Sequence, residues 1–441
     1  GKGTRMEADL PKVLHQVGGA PILLHVLQTS VRIEPEHIIV VTGYGAEEVE
    51  VAAKAYDETI QVVLQQEQKG TAHAVLQAKV ALTDACGDAI VLYGDTPFVR
   101  SETLLALSEA RKSADIVVLG FEAADPKRYG RLVMQDDKLA RIVEYKDANA
   151  AERAISLCNS GVLCADSDIL FSLLDAVDNN NAAGEYYLTD VVQLANELNL
   201  TVTAVHCHED ETMGVNSRAE LVQAEALFQT TARAEIMALG VTLQAPDTVY
   251  LAFDTVIGRD THIEPNVVFG TGVTIENNTR IRAFSHLEGC HISSGAVVGP
   301  YARLRPGTEL AENVKVGNFV EVKNAQIEQG AKVNHLSYIG DASIGEASNI
   351  GAGTVTCNYD GVSKHHTEIG RSVFIGSNTM LVAPVKIGDG AMTASGSVVT
   401  KDVDPGTLAV ARAEQQNKSG LATKLFTVLR NKKARQQKDA T

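Results

Sequence analysis

From residue 257 the sequence reads IGRDTH-IEPNVV-FGTGVT-IENNTR-I, with an apolar residue at every sixth position: Ile257, Ile263, Phe269, Ile275 and Ile281. The count continues through Leu287, slips by one at Ile292, then resumes through Val298, Leu304, Leu310, Val316 and Val322. It slips again at Ile327, runs on through Val333 and Ile339, slips at Ile344 and reaches Ile350. After a break it returns as Ile369, Ile375, Leu381, Ile387, Thr393 and Val399. A helix repeats every ~3.6 residues and a strand every ~2, so neither explains a sustained six. Gly, Asn, Asp and Ser fill the intervals, and these residues accept the backbone angles of tight corners. The period predicts a parallel β-helix of about eight coils, each coil three strands and three corners. An ordinary β-sandwich with evenly spaced strands is the less favoured alternative.

The same ruler places side chains. In coils of about 18 residues, positions one coil apart return to the same side. Arg305 and Lys323 differ by eighteen, so they are expected to stack and to clamp a phosphate together. The lattice breaks between Ile350 and Ile369, where Thr356-Cys357-Asn358-Tyr359-Asp360-Gly361 leads into Lys364-His365-His366. An insertion in a solenoid costs little and is where function tends to sit. Among the polar residues near the break are Arg305, Lys323, His335, Tyr338 and Asn349, and His335 is the one plausible neutral base near pH 7.

The first half alternates strand and helix. Helical spacing over Pro21 to Val31, Glu47 to Tyr56 and Thr71 to Val80 separates aliphatic strands at His37 to Thr42, Ile60 to Leu64 and Ala89 to Tyr93. Repeated strand–helix units predict a parallel sheet covered on both faces, with ligands at the carboxyl ends of its strands. Asp95 lies at such an end, a natural magnesium ligand beside substrate phosphates. Gly1-Lys2-Gly3-Thr4-Arg5-Met6 is neither a Walker loop nor a Rossmann fingerprint. A Gly-rich turn can nevertheless present N–H groups to phosphate, with Arg5 and Lys12 adding positive charge. Ser217-Arg218-Ala219-Glu220 is a capping-box signature. It opens a helix from about 218 to 239, with Leu221, Ala224, Phe228, Ala232, Ile236 and Leu239 on one stripe and Gly240 as its stop.

The 441 residues carry 45% apolar side chains and a net charge of -16. The apolar share describes an ordinary soluble protein, and the charge argues against a nucleic-acid binder. No run approaches the ~18 apolar residues of a membrane span. The six cysteines are scattered, without zinc spacing, and read as reduced thiols of a cytoplasmic protein. His206 with His208, and His365 with His366, lack further evident ligands. The basic stretch from Arg430 to Lys438 reads as a solvated end.

The motifs Gly-x-Gly-Thr-Arg-Met with Pro11-Lys12, Gln65 with Gly70-Thr71, and Tyr93-Gly94-Asp95 resemble the sugar-phosphate nucleotidyltransferases. Tyr129-Gly130-Arg131, Glu144 with Lys146-Asp147, Asn159-Ser160-Gly161, Glu185-Tyr186-Tyr187 with Thr189-Asp190, and Gly214-Val215-Asn216 follow in that family's order. Joined to a hexapeptide half, the chain is similar over nearly its whole length to one bacterial family. Those enzymes are bifunctional N-acetylglucosamine-1-phosphate uridyltransferases and glucosamine-1-phosphate N-acetyltransferases.

The resemblance implies an α/β Rossmann-like nucleotidyltransferase domain over 1–217, a linker helix over 218–239 and a left-handed β-helix acetyltransferase domain over 240–441. It implies that Gly1, Gly3, Arg5 and Lys12 hold UTP phosphates, and that Gln65, Gly70 and Thr71 meet the uracil. Asp95 and Asn216 would hold Mg2+, and Gly130, Glu144 and Asn159 would line the sugar pocket. In the second half it implies His335 as base, with Arg305, Lys323, Tyr338 and Asn349 on the sugar phosphate. Ala352, Asn358, Tyr359, Ser377, Ser395 and Arg412 would contact substrate or acetyl-CoA, although the family commonly has Ala at the position of Ser395. A homotrimer with acetyl-CoA between subunits, and no nucleic-acid or membrane partner, belong to the same expectation. The family places an apolar strand and a Leu-Ala-Ala lead-in before the first glycine, so a first domain lacking its first strand is expected. The rival readings are a single-activity nucleotidyltransferase whose β-helix serves only oligomerisation, and a non-catalytic sugar-nucleotide-sensing scaffold. A purely structural solenoid needs none of His335, Arg305 and Lys323.

Overall fold

The computed structural model describes residues 3–82, 87–126, 129–135 and 138–438. It divides into two compact units, one of Gly1–Ala238 with Tyr250–Thr255, the other of Leu239–Val249 with Val256–Thr441.

In the first unit the aliphatic runs form strands, but the sheet is mixed rather than parallel. Strands Ile39–Thr42 and Gln61–Leu64 pair in parallel. The long strand Leu157–Asp166 is the centre of a separate six-stranded sheet. It runs antiparallel to Ile116–Glu122 along one edge. Along the other edge it is antiparallel to Asp88–Val91 and touches the hairpin Arg131–Gln135/Lys138–Val143. Val202–Cys207 adds in parallel to Ile116–Glu122. In Leu157–Asp166 the run Val162 to Ala165 is apolar and buried on both sides, which suits the middle of a sheet. Among the described residues no strand joins the Ile39–Thr42 pair to this sheet.

Helices Ile22–Val31, Ala46–Tyr56 and Thr71–Gln77 form where the helical spacing predicts them, the last continuing as a 3-10 turn over Ala78–Ala81. Arg218–Ala238 is a single helix and counts with the first unit. Leu221, Ala224 and Phe228 face the core around Val17, Ile22 and Val215, whereas Leu239 lies beyond the helix and is 70% exposed. Gln229 is buried instead. Its amide donates to Leu251 O at 2.7 Å and accepts from Leu251 N at 2.9 Å, clasping Tyr250–Thr255.

The second unit is the parallel β-helix. One face stacks ten strands; the middle eight carry Ile263, Ile281, Val298, Val316, Val333, Ile350, Ile375 and Thr393, with Thr242–Leu243 and Leu408–Ala409 at the two ends. These lattice residues are buried, and each aliphatic one contributes about 1.5–3 kcal/mol by leaving water. The slips in the six-residue count are corners one residue tighter. Thr274 pairs with His291, and Gln326 with Ser343, both seventeen apart, where Val256 to Thr274 is eighteen. At Asn324 and Asp341 the tight corner takes φ of 45° and 48°. There Glu321–Ile327 and Tyr338–Ile344 run unbroken across two faces. The break is a longer coil: Tyr338 pairs with Val355 but Val355 with Met380, seventeen against twenty-five. Beyond the solenoid, Leu421–Lys438 is an exposed helix. Among the described residues, no helix is long and apolar enough to cross a membrane.

Candidate active sites

In the first unit three predicted residues meet. Val215 N donates to Asp95 O at 2.9 Å, which sets Asn216 beside Asp95. The capping signature finishes the job: Ser217 Oγ accepts from Glu220 N at 3.3 Å, and Glu220 Oε2 accepts from Asn216 N at 2.7 Å. Lys12 Nζ then donates to Asp95 Oδ2 and, at 2.9 Å, to Asn216 Oδ1. Two hard oxygen donors thus converge on one cationic nitrogen. The donor set fits magnesium, which takes oxygens, needs only one carboxylate and leaves positions for water and phosphate. Among the described residues, no group of three or more His, Cys, Asp or Glu side chains could hold a metal. Gly3 closes against the same lysine: at φ +57°, a Cβ there would stand 2.9 Å from Lys12 Cβ. Arg5 is exposed in the 3-10 turn Thr4–Met6. Gly1 lies outside the described residues.

Gln65, Gly70 and Thr71 also come together. Gln65 Nε2 donates to Gly70 O at 3.2 Å and lies 2.9 Å from His73 Nδ1. Gly70 has φ +123°, and a Cβ there would meet Tyr186 O at 2.4 Å. Thr71 Oγ1 accepts from Leu188 N at 2.9 Å and bonds the Tyr93 hydroxyl, whose pKa burial pushes up to about 12. Around the expected sugar pocket, Asn159 N donates to Gly130 O at 2.9 Å. A Cβ on Gly130 would sit 3.4 Å from Glu144 Oε1. Burial raises the Glu144 pKa, with Asp190 and Asp147 adding to it against the Thr189 hydrogen bond. Asp190 itself is raised to about 6, first by burial and then by Asp178 and Asp147. The sequence reading passed over Thr189, Asp190 and His73 as site residues. Only the motif Thr189-Asp190 offered a signal for two of them.

In the second unit the parallel register builds a column. Asn318 pairs with His335. Above them Gly353 N donates to His335 O, Asn378 N to Ala352 O and Gly396 N to Ser377 O, at 3.2, 2.7 and 2.8 Å. Each bond ties a residue to the carbonyl one coil below, so Asn318, His335, Ala352, Ser377 and Ser395 stack in line. Arg412 follows Ala411, whose carbonyl accepts from Val398 N at 3.0 Å. Asn349 stands in a parallel column between Lys332 and Phe374, on the strand that leads to Ala352.

Around the next corner lies a charged cluster. Arg303 pairs with Glu321 and Leu304 with Val322, so Arg305 and Lys323 are one coil apart, as the eighteen-residue return predicts. Their charged ends have separate partners. Arg305 Nη1 lies 2.9 Å from Glu321 Oε1. The Lys323 ammonium lies close enough to Lys364 that its like charge lowers the Lys364 pKa. The Tyr338 ring folds over Gly340, where a Cβ would be 2.5 Å from its Oη. Asp341 is buried between Asn324 and Asn358, accepting from both amides. Burial alone would raise its pKa, but those bonds with Lys323 and Lys364 hold it below the usual range. Lys364 is the member the sequence reading left unassigned. It lies within the insertion, and its signal was the twenty-five-residue coil, which folds back so that Tyr359 pairs antiparallel with Lys364. Tyr359 is exposed, its hydroxyl donating to Gly361 O at 2.6 Å.

Comparison with known proteins agrees with both halves. Residues 1–162 match the MobA-like NTP transferase domain, and 254–289 and 366–401 match the bacterial transferase hexapeptide repeats. The bifunctional protein GlmU of Ruegeria pomeroyi is 66% identical over 439 residues, covering 100% of this chain and 98% of that protein. That of Paracoccus denitrificans is 58% identical over 433 residues, covering 98% and 97%. A left-handed parallel β-helix with a column that includes His335, following an NTP-transferase unit with its own Lys–Asp–Asn cluster, and matching such relatives over nearly their whole length, places this chain in the family of the bifunctional protein GlmU.

Proposed function

We infer that the chain makes UDP-N-acetylglucosamine in two transfers at two separate sites. The β-helix acetylates glucosamine 1-phosphate from acetyl-CoA; the α/β unit joins the product to UTP and releases pyrophosphate. One observation carries the two-site reading: each unit assembles its own cluster of charged and polar side chains built around lysine. These are Lys12 with Asp95 and Asn216, and Lys323 with Lys364 near Asp341 and Tyr338.

In acetyl transfer the Lys323 and Lys364 ammoniums, with Arg305, Tyr338 and Asn349, hold the sugar phosphate. Two like charges held together relax when a dianion comes between them. His335 takes a proton from the sugar amine as its nitrogen bonds the thioester carbonyl. The C–S bond then breaks, and the thiolate leaves as coenzyme A. Ala352, Ser377, Ser395 and Arg412 rise above the base as a rail for the coenzyme, with Asn358 and Tyr359 at its side.

In uridyl transfer a phosphate oxygen of N-acetylglucosamine 1-phosphate attacks the α-phosphorus of UTP. The bond to the β-phosphate oxygen breaks and pyrophosphate departs. This step needs in-line placement and neutralised charge rather than a protein nucleophile. Gly1, Gly3, Arg5 and Lys12 cradle the triphosphate, Gln65, Gly70 and Thr71 the base, and Gly130, Glu144 and Asn159 the sugar. Mg2+, held by Asp95 and Asn216, supplies further positive charge to the phosphates when bound. A cytoplasmic homotrimer is the assembly we assign, in keeping with an exposed aromatic ladder of Phe284, Tyr301 and Phe319 along one corner. The test supplies the purified protein with glucosamine 1-phosphate, acetyl-CoA, UTP and Mg2+. UDP-N-acetylglucosamine should form, and should vanish when either donor is omitted; product without acetyl-CoA would overturn acetyl-CoA as the acetyl donor.

A further inference from the structure

His335 stands exposed at the end of the strand Lys332–His335, at a position where an imidazole has free choice of rotamer and tautomer. It does not use that freedom. The strand one coil below, Lys315–Asn318, ends on a carboxamide in direct register with it. Asn318 Oδ1 lies 2.7 Å from His335 Nδ1. A carbonyl oxygen can only accept, so the ring proton sits on Nδ1 and the lone pair is left on Nε2. The backbone fixes both ends of this bond, since Leu336 N donates to Asn318 O at 3.1 Å.

We propose that Asn318 is the positioning residue of the acetyl-transfer base: its carboxamide fixes the tautomer and ring orientation of His335 while adding no negative charge. This rests on the reading of His335 as base. The choice of amide matters. A carboxylate in the same place would also fix the ring, but it would stabilise the imidazolium and hold the base protonated to higher pH. A hydroxyl could donate as well as accept and would leave the tautomer undecided. The other titratable side chains on the two strands are Lys315 and Lys332, three residues before Asn318 and His335, and both are cationic. Neither strand carries a carboxylate that could charge-pair with the ring.

The experiment compares Asn318→Ala, Asn318→Asp and His335→Ala in the full chain by steady-state acetyl transfer from pH 5 to 9, with far-UV circular dichroism as the check on folding. Asn318→Ala should lower kcat about 10- to 100-fold, as loss of a histidine's orienting partner does at metal sites. KM for both substrates should stay within about twofold, because the amide touches the base and not the ligands. Asn318→Asp should recover most of kcat at high pH while moving the acid limb of the kcat profile up by about one pH unit. A residue that merely packs would not move that limb. Wild-type kcat in Asn318→Ala, or an unmoved limb in Asn318→Asp, overturns the proposal. If Asn318→Ala does not fold, the Asn318→Asp limb decides alone. His335→Ala that keeps acetyl transfer would instead sink the assignment of the base itself.

Discussion

Gly161 carries a sharp consequence for the first unit. Its φ is +87°, and a Cβ built there would fall 2.4 Å from Tyr93 Cε2 and 2.7 Å from Cζ. The ring has little room to retreat. It bonds Thr71 and is partly buried, and the pocket it shares with Asn159, Gly161 and Thr189 measures about 10 Å³, at the limit for one water. Gly161→Ala therefore combines two costs: a left-handed conformation for an L residue, about 1–2 kcal/mol, and overpacking of an aromatic, about 1–3 kcal/mol. Near the middle of these ranges, a loss of about 3 kcal/mol should lower the unfolding midpoint of this unit by roughly 6–12 °C. Calorimetry measures that shift directly. Because Tyr93 leads into Gly94-Asp95, uridyl transfer at 20 °C should also fall while acetyl transfer does not. A midpoint within about 2 °C of wild type would show that the Cβ finds room and that the packing argument is wrong.

Three further outcomes are expected. Asp95→Ala should abolish pyrophosphate release and spare acetyl transfer, and His335→Ala the reverse; a variant that loses both activities contradicts independent sites. Removing either Lys323 or Lys364 by alanine should raise KM for glucosamine 1-phosphate far more than KM for acetyl-CoA, with a weaker salt dependence than wild type; equal effects on both substrates would remove them from the phosphate. His25 is buried, donates to Val17 O at 2.8 Å, and has its pKa lowered below 6.5 by burial, against the opposing Val17 bond and Glu225. The unfolded chain thus binds the proton more tightly. Stability is full above pH 6.5 and declines as pH falls from there toward the folded value. His25→Met should flatten that decline in thermal unfolding, and a slope that persists points to another group.

The solenoid was legible because its period is imposed by packing: Ile263, Ile281 and Val298 each fill a coil interior, and every coil repeats the demand. The stacking of Arg305 below Lys323 followed from that period alone. Where their guanidinium and ammonium point did not, because Glu321 and Lys364 come from the next coil and from an insertion outside the lattice. The Asp95–Asn216 meeting was implied by resemblance rather than spacing, since 121 residues of folded chain (216 − 95) separate them. The mixed sheet was the clearest miss. Strands alternating with helices suggest parallel order, and nothing local marks Leu157–Asp166 as entering in the opposite direction. Gln229 escaped for a related reason: a polar residue on a helical stripe looks solvent-facing until a distant backbone, here Leu251, needs both of its amide groups.

The stack from His335 to Ser395 also sets a length. Its members advance by one strand spacing per coil, about 4.8 Å, so the three steps through Ala352 and Ser377 reach roughly 14 Å from the base. Distance along this rail is quantised. A whole coil added above Ala352 would move the upper anchor by one such step and leave the geometry at His335 unchanged. On the proposed function, an acetyl donor is therefore selected by the reach of its carrier as well as by its thioester.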